Sequence, residues 1–248
     1  MLATRIIPTL LTRRGELVKG RAFGPARVVG HALQAIRIYQ QREVDELIVL
    51  DIGATPDGRG PDIDLVRSFA GECFMPVTVG GGVRTCDDIR ALLANGADKV
   101  AICTAALECP AFIAEASQRF GAQAVVAAID VRGGVVCGRR GSAAHDRGAV
   151  EWACDLERLG AGEILLTSVD RDGTLRGYDL DLIRAVSSAV NIPVIAAGGA
   201  GNYEHLAEGL RAGAHAVAAG AMWSFTDSTT KGAARYLAKQ GFAMRCAA

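Results

Sequence analysis

The stretch PVTVGGGVRTCDDIRALLANGADKVAICTA, residues 76–105, contains two short apolar runs on either side of an amphipathic segment. Both runs are continuously apolar, which is typical of parallel strands that are covered on both faces. The segment between them, residues 86–96, follows a glycine cluster and ends at Gly96, as a capped helix would. Residues 76–105 therefore predict a strand–helix–strand unit with parallel strands.

The same pattern of apolar run and helical segment recurs along the chain. Eight runs are predicted as strands: residues 5–11, 46–52, 75–80, 98–103, 124–130, 163–168, 193–198 and 216–220. Eight such units in 248 residues match the size of a (β/α)₈ (TIM) barrel, so the sequence predicts an α/β fold of this kind. A doubly wound open sheet is the structural alternative, although it rarely needs eight units. Residues 137–149 show no clear periodicity and are expected to form a loop over the active face.

An internal repeat relates the two halves of the chain. A shift of 117 residues aligns residues 46–106 with a second segment without a gap, and it places Gly60 on Gly177 and Pro76 on Pro193. Each half would carry four strands with open edges, and these edges are covered when the two halves close into one barrel. We therefore expect a single domain, residues 1–248, made of two homologous half-barrels at about 1–120 and 121–240.

Composition narrows the class of protein. The formal net charge is zero, so no overall positive field attracts nucleic acid or an anionic membrane. The apolar runs are far shorter than the roughly 18–20 residues of a membrane span, and residues 1–8 lack the features of a signal peptide. The seven cysteines show no CxxC spacing, which indicates reduced, mostly buried thiols and neither a zinc site nor a disulfide framework. We expect a cytoplasmic protein with no metal and no cofactor.

The chemistry of such a barrel is carried by residues at the carboxyl ends of its strands. Asp51 and Asp130 lie at the ends of the second and fifth predicted strands, whereas Leu11 ends the first. A carboxylate near the barrel axis can act as a general acid or base. For any single aspartate, a helix cap or a loop ion pair is the alternative. The strand-end position in both halves favours a catalytic function for Asp51 and Asp130.

Two glycine clusters, VGGGVRT at 79–85 and AAGGAGN at 196–202, follow the third and seventh predicted strands. Glycine lets backbone N–H groups approach an anion, and the dipole of the following helix favours negative charge. Tight turns also use glycine, so one cluster alone would be weak support. Two clusters at the same place in both halves predict a ligand with two phosphates. The phosphate-binding candidates are Gly81, Gly82, Thr104, Ser168, Gly198, Gly199 and Gly220.

Four charged residues lie at or near strand starts, at the opposite end of the predicted barrel. They are Arg5, Glu46, Lys99 and Glu163. One interpretation is a surface salt-bridge ring that contributes to stability, which is common at this face. The other is a charged gate that controls the passage of a small molecule. The pattern of charges does not choose between them.

The motifs RIIP, LVKG, VGGGVRT, GADKVAICTAA, AIDVRGG, GAGEILLTSVDRDGT and AAGGAG resemble those of the cyclase subunit of imidazole glycerol phosphate synthase, from residue 1 to about 240. The resemblance implies a barrel that docks a glutaminase on its strand-start face and binds a substrate with two phosphates. It also implies that ammonia enters through a salt-bridge gate, whose four positions match the charged residues named above. Of the functional residues implied by the resemblance, the chain retains Lys19, Asp51, Asp130, Asp170 and Asp172.

Three positions depart from the cyclase pattern. The acid–base pair of the cyclase would be an aspartate at position 11 together with Asp130, but position 11 is Leu. Thr9 stands where the cyclase has cysteine, and Cys103 stands where it has asparagine. Leu11 and the motifs VDELIVLDI and GRGPDIDL look instead like the paralogous cyclase-like subunit of surface-polysaccharide biosynthesis. That resemblance implies a partnership with a glutaminase and with a sugar amidotransferase that makes an acetamidino group from an N-acetyl sugar.

Four functions remain open. The resemblance favours an ammonia-accepting barrel subunit of a glutamine-dependent amidotransferase complex, for amidination of an N-acetyl sugar in lipopolysaccharide (O-antigen) biosynthesis. The alternative is the histidine-pathway cyclase, which converts PRFAR and ammonia into imidazole glycerol phosphate and AICAR, with Leu11 tolerated. A non-catalytic ammonia-conducting scaffold that activates a glutaminase is the third. An unrelated phosphate-binding barrel is the fourth, but it has no ammonia to admit through a gate.

Overall fold

Eight parallel strands close into a barrel in the computed structural model, which describes residues 3–244. The described strands are, in chain order, β1 (Arg5–Arg13), β2 (Glu16–Lys19), β3 (Arg27–His31), β4 (Leu47–Asp51), β5 (Val77–Gly80), β6 (Lys99–Ile102), β7 (Val125–Arg132), β8 (Val135–Gly138), β9 (Ala143–Gly148), β10 (Glu163–Ser168), β11 (Val194–Ala197) and β12 (Ala216–Ala219). The barrel order is β1-β4-β5-β6-β7-β10-β11-β12. Pairing of β7 with β10, in which Asp130 lies beside Thr167, closes the ladder. The predicted (β/α)₈ barrel is confirmed, and the open sheet is excluded.

Helices cover the outside of the barrel. They are α1 (Ala32–Gln41), α2 (Ile63–Ala70), α3 (Cys86–Ala94), α4 (Thr104–Glu108), α5 (Ala111–Phe120), α6 (Ala149–Arg158), α7 (Leu180–Ser187), α8 (Tyr203–Arg211), α9 (Ala221–Phe225) and α10 (Thr230–Lys239), with a 3-10 helix at Ala122–Ala124. The larger core lies between helices and strands and buries Phe69 and Trp152. A smaller core fills the barrel interior with side chains such as Ile7, Ile48 and Ile195. Both faces of the strands are therefore apolar, which explains their continuous apolar runs.

Elements of the two halves correspond at a shift of 117 residues. Helix α2 corresponds to α7, and α3 to α8, from the first residue to the last. The helix caps correspond as well, because the Asp62 side chain accepts a hydrogen bond from the N–H of Leu65 (3.0 Å) and Asp179 accepts one from Leu182 (3.1 Å). The half-barrel boundaries and the single-domain assignment stay predictions, and residues 1–2 and 245–248 lie outside the described residues.

Two β-hairpins extend the strand-end face of the barrel, one from the first strand of each half. Strands β2 and β3 follow β1, and β8 and β9 follow β7. The prediction of a loop over residues 137–149 is wrong, because most of this segment is paired in the hairpin of β8 and β9. Residues of β9 alternate between half-buried and exposed, so backbone hydrogen bonds rather than apolar burial hold the strand. The sequence therefore carries no apolar signal there.

The cysteines within residues 3–244 form no disulfide. Of these six, Cys86 and Cys137 are buried, three are half-buried and Cys109 is exposed, so fewer thiols are buried than the sequence predicted. Cys246 lies outside the described residues. In the same part of the chain, no helix is both long and apolar enough to cross a bilayer.

Candidate active site

A cavity of about 180 Å³ opens at the carboxyl ends of the barrel strands. Both half-barrels and both hairpins contribute to its walls, together with apolar side chains such as Leu50 and Leu165. The predicted site residues that line it are Leu11, Lys19, Asp51, Gly81, Gly82, Thr104, Asp130, Asp172, Gly198, Gly199 and Gly220. The fold therefore brings the predicted catalytic residues and most of the predicted phosphate-binding residues into one cavity.

Asp130 lines the cavity from β7. Its Oδ2 atom accepts a weak hydrogen bond from the thiol of Cys103, whose Sγ lies 3.5 Å away, and the Thr167 side chain is a second donor. Burial raises the pKa of Asp130 to about 6, although both hydrogen bonds act in the opposite direction. A carboxyl group with a pKa near neutral can both accept and donate a proton. Asp130 is therefore suited to general acid–base catalysis.

Leu11 and Thr9 face the same cavity from β1. The isobutyl group of Leu11 can neither donate nor accept a proton. The Thr9 hydroxyl is buried and has no hydrogen-bond partner within residues 3–244. A buried hydroxyl without a partner costs free energy, which a polar ligand atom in the cavity would recover. The β1 wall thus offers one uncharged hydrogen-bonding group and no acid.

Lys19 and Asp172 place opposite charges in the outer part of the cavity, beyond the strand ends. Burial lowers the pKa of Lys19 to about 8, and the nearby charge of Asp172 opposes this effect. Burial raises the pKa of Asp172 to about 6, and Lys19 opposes that shift in turn. The Nζ atom of Lys19 also donates to the backbone oxygen of Thr9 (3.3 Å). Each of the two groups therefore favours the charged form of the other.

The Asp51 carboxylate forms hydrogen bonds and an ion pair with residues of the loop that follows β4. Its Oδ1 atom accepts hydrogen bonds from the N–H groups of Gly53 (2.8 Å) and Ala54 (3.1 Å). Its Oδ2 atom lies 3.1 Å from Nη2 of Arg59. These three contacts hold the segment after β4 against the cavity. This geometry favours a positioning function for Asp51 over proton transfer.

The two glycine clusters adopt backbone conformations that only glycine accommodates. Gly82 has φ of +74°, and Gly199 has φ of +117°. A Cβ atom at Gly82 would lie 2.7 Å from the backbone oxygen of Arg59, and one at Gly199 would collide with that of Gly177. Both sites therefore exclude larger residues and bring bare backbone to the cavity wall, as a phosphate-binding turn requires.

Thr104 and Gly220 line the cavity where α4 and α9 begin. The Thr104 Oγ1 atom accepts a hydrogen bond from the N–H of Arg139 (2.9 Å), which leaves its hydroxyl hydrogen for a ligand. Ser168 is buried and does not line the cavity. Thr167, one residue earlier on β10, lines it instead.

Thr167 and Arg140 are among the cavity residues that were not identified from the sequence. Alternation along β10 could have identified Thr167, because Leu165 faces the interior and side chains on one face of a strand repeat every two residues. Arg140 lies between β8 and β9, in the segment without periodicity, and no sequence signal distinguished it.

At the other end of the barrel, the predicted gate residues form one closed ring of alternating charge, called the charged ring below: Arg5, Glu46, Lys99 and Glu163. Glu46 accepts from Nη1 of Arg5 (2.6 Å) and from Nζ of Lys99 (2.9 Å). Glu163 also bridges both cations, and its Oε2 lies 2.9 Å from Nζ of Lys99. The carboxylates are buried, whereas the Arg5 and Lys99 side chains are 24% and 21% exposed.

The described residues contain no group of three His, Cys, Asp or Glu side chains that could hold a metal ion. The chain matches the family model described as Histidine biosynthesis protein over residues 5–228. This region contains the eight barrel strands, both hairpins, the cavity and the charged ring. A match over nearly the whole chain establishes the family, and it supports the cyclase type within it. The protein is therefore a member of the histidine biosynthesis protein family.

Proposed function

We propose that this barrel is the ammonia-accepting subunit of a glutamine-dependent amidotransferase complex. A glutaminase docks at the strand-start face, and its ammonia passes the charged ring and reaches the cavity, where a phosphorylated ligand is bound. With a sugar amidotransferase, the complex amidinates an N-acetyl sugar of a surface polysaccharide. One observation carries the proposal: the charged ring is complete, whereas Leu11 leaves Asp130 without the second acid that a cyclase of this type would have.

The charged ring is suited to gating because each carboxylate is shared by two cations. Arg5 uses separate Nη atoms for Glu46 and Glu163, so it keeps both carboxylates paired by itself. Lys99 contacts both through one Nζ atom at the end of a flexible chain. Rotation of Lys99 would open one side of the ring while the carboxylates remain paired with Arg5. Lys99 is therefore the moving part of the proposed gate.

Beyond the charged ring, the barrel interior is apolar. Ile7, Ile48, Val126 and Ile195 are almost completely buried there. An apolar passage selects neutral ammonia over ammonium, because burial of an unpaired charge costs far more than burial of a small neutral molecule. In this proposal, small rotations of these side chains admit ammonia, which arrives at the cavity unprotonated and nucleophilic.

The cavity can perform proton transfer on one side only. Asp130 can take a proton from attacking ammonia and return it to a leaving group, since its pKa lies at about 6. Proton transfer on the other side of the cavity, from β1, would need an ionisable group at position 11. Loss of one general acid–base group lowers rates by roughly 10²–10⁴-fold. A reaction that needs both groups, as the cyclase reaction does in the resembled family, is therefore disfavoured.

The histidine-pathway cyclase is the second candidate. The family description and the presence of Lys19, Asp130 and Asp172 in one cavity with both glycine clusters favour it. Under this alternative, Asp130 would have to transfer protons on both sides of the ligand. A third candidate, the ammonia-conducting scaffold, needs the charged ring but no function for Asp130.

Reconstitution with the glutaminase and the sugar amidotransferase separates these functions. Product is measured with glutamine as nitrogen source and, separately, with ammonium chloride. We expect Lys99→Met to lower the glutamine-dependent product, because a ring that stays open on one side loses ammonia to solvent, and to spare the ammonium-dependent product. Lys239→Met, which removes an exposed lysine of α10, is the matched control and should spare both. Equal glutamine-dependent rates for the two variants would contradict the proposal, and Asp130→Asn without effect would identify a scaffold.

A further inference from the structure

Arg140 lies at the tip of the β8–β9 hairpin, and its side chain lines the cavity. The tip is a tight turn in which the N–H of Gly141 donates to the carbonyl oxygen of Gly138 (2.9 Å). Arg139 and Arg140 lie between these glycines with left-handed φ values of 48° and 59°. Asn and Gly are the usual residues of such turns, because other side chains are strained there. The geometry of the turn therefore does not explain an arginine at position 140.

The two arginines of the turn have different partners. Arg139 pairs with Glu108, and its Nη2 lies 2.7 Å from Oε1 of that residue. Arg140 donates from Nη2 to the backbone oxygen of Gly24, in the loop between β2 and β3 (2.8 Å). Within residues 3–244 this is its one hydrogen bond, so the guanidinium keeps further N–H donors for a ligand. The contact with Gly24 holds the group at the cavity without neutralising its charge.

The outer part of the cavity carries an excess of positive charge. Asp172 interacts with both Lys19 and Arg140, whose charges oppose the effect of burial on its pKa. Burial, and then the nearby charge of Arg13, lower the pKa of Arg140. Within the described part of the chain, Arg13 alone among these three cations has a salt bridge, which it forms with Asp57. Arg13 does not line the cavity, but Lys19 and Arg140 do, and together they carry one positive charge more than Asp172 offsets, which favours an anion between them.

We propose that Arg140 and Lys19 form an anion-binding subsite in the outer part of the cavity, which takes a carboxylate or phosphate of the ligand in addition to the phosphates expected at the glycine clusters. A guanidinium group can donate two parallel hydrogen bonds to the oxygens of either anion. The subsite rests on the proposed function for its phosphorylated sugar ligand and is independent of the passage of ammonia. It narrows the substrate class to sugar phosphates with a further acidic group.

Calorimetric titration tests the subsite in the absence of glutamine, ammonia and partner subunits, so that its failure leaves the ammonia route untouched. The probes are glucose 1-phosphate, glucose 1,6-bisphosphate and glucuronic acid 1-phosphate, of which the last two add a phosphate and a carboxylate, respectively. The variants are Arg140→Gln, Arg140→Lys and the matched control Arg139→Gln. The control removes the same charge from the same turn, but residue 139 does not line the cavity.

We expect the wild-type protein to bind at least one of the two doubly acidic probes about 10-fold more tightly than glucose 1-phosphate. Arg140→Gln should reduce this preference to whatever part the two glycine clusters supply, Arg139→Gln should retain it in full, and Arg140→Lys should retain more of it than Arg140→Gln because the charge remains. A loss confined to the glucuronic acid probe identifies a carboxylate subsite, and a loss confined to the bisphosphate identifies a phosphate subsite. Wild-type protein that binds none of the probes or shows no such preference, or equal affinities for folded Arg140→Gln and Arg139→Gln, would overturn the inference.

Discussion

Leu11 and Asp130 occupy equivalent positions in the two halves of the barrel. The hairpin that follows β1 pairs Arg13 with Glu16, and the hairpin that follows β7 pairs Arg132 with Val135, at a constant shift of 119 residues. The same shift relates Leu11 to Asp130, and both side chains line the cavity. The missing acid therefore results from the residue at position 11 and not from a shift in strand register.

An acid introduced at position 11 should perturb Asp130. We expect Leu11→Asp to raise the pKa of Asp130 above its value of about 6, because a second carboxylate in the same cavity disfavours ionisation of the first. Leu11→Asn adds polarity without charge and should produce a smaller change. Carbon-13 NMR titration of the aspartate carboxyl groups measures both, and a pKa that stays at or below the wild-type value would show that the two positions do not interact.

Asp130→Asn should increase stability above neutral pH. Burial raises the folded-state pKa of Asp130 to about 6 from 3.8, so its favourable contribution is complete below about pH 4 and is lost as the pH rises through 6. We therefore expect the free energy of unfolding of the variant, relative to wild type, to increase between pH 4.5 and 8. The gain should be on the order of 1–2 kcal/mol, since solvent in the cavity reduces the penalty of burial.

Urea denaturation at several pH values measures this difference. The exposed Asp146→Asn is the control and should change stability little throughout. A variant that loses stability relative to wild type as the pH rises would indicate that Asp130 is held mainly by its hydrogen bonds rather than penalised by burial.

Arg5→Met should destabilise the fold more than Lys99→Met. Without Arg5, two buried carboxylates share one lysine, whereas without Lys99 each carboxylate keeps its own Nη contact. We expect Arg5→Met to lower the free energy of unfolding by about 1–3 kcal/mol, which is less than for a fully buried pair because the cation is partly exposed. Arg37→Met breaks an exposed pair with Glu72 and should have little effect. Denaturation midpoints in urea rank the three, and the reverse order for Arg5 and Lys99 would contradict the geometry of the charged ring.

Gly199→Ala should impair both folding and phosphate binding. The added methyl group would collide with the backbone oxygen of Gly177, in addition to the strain of φ +117°. Gly134→Ala is the matched control, because its φ is +81° and no atom lies within 4 Å of the added group. We expect the control to lose about 1 kcal/mol and Gly199→Ala at least twice that. Thermal unfolding with and without inorganic phosphate checks both effects, and equal losses would mean that the turn relaxes around the methyl group.

The sequence predicts the barrel because its strands are buried on both faces and its repeat is free of gaps. The charged ring follows from strand-start positions, since parallel strands bring their amino ends to one face. Strand β9 and the turn before it could not be predicted in this way, because the backbone hydrogen bonds that hold β9 leave no apolar pattern. Arg140 was missed for the same reason.

Ser168 illustrates a different limit. Its position at a predicted strand end was correct, but the neighbouring Thr167 lines the cavity. Successive side chains of a strand point to opposite faces. An error of one residue therefore selects a side chain that packs against the helices instead of one that lines the cavity. Leu165 points into the barrel interior, and Thr167, two residues further along β10, points to the same side.

A barrel that handles ammonia without cyclase chemistry should not convert PRFAR by catalysis at Asp130. Purified protein is supplied with PRFAR and ammonium chloride, which removes the need for a glutaminase, and the formation of imidazole glycerol phosphate is followed. We predict that the wild-type rate does not exceed that of Asp130→Asn. A wild-type rate that Asp130→Asn lowers by roughly 10²-fold or more, the effect expected for loss of a general acid–base group, would contradict the claim and identify a working cyclase.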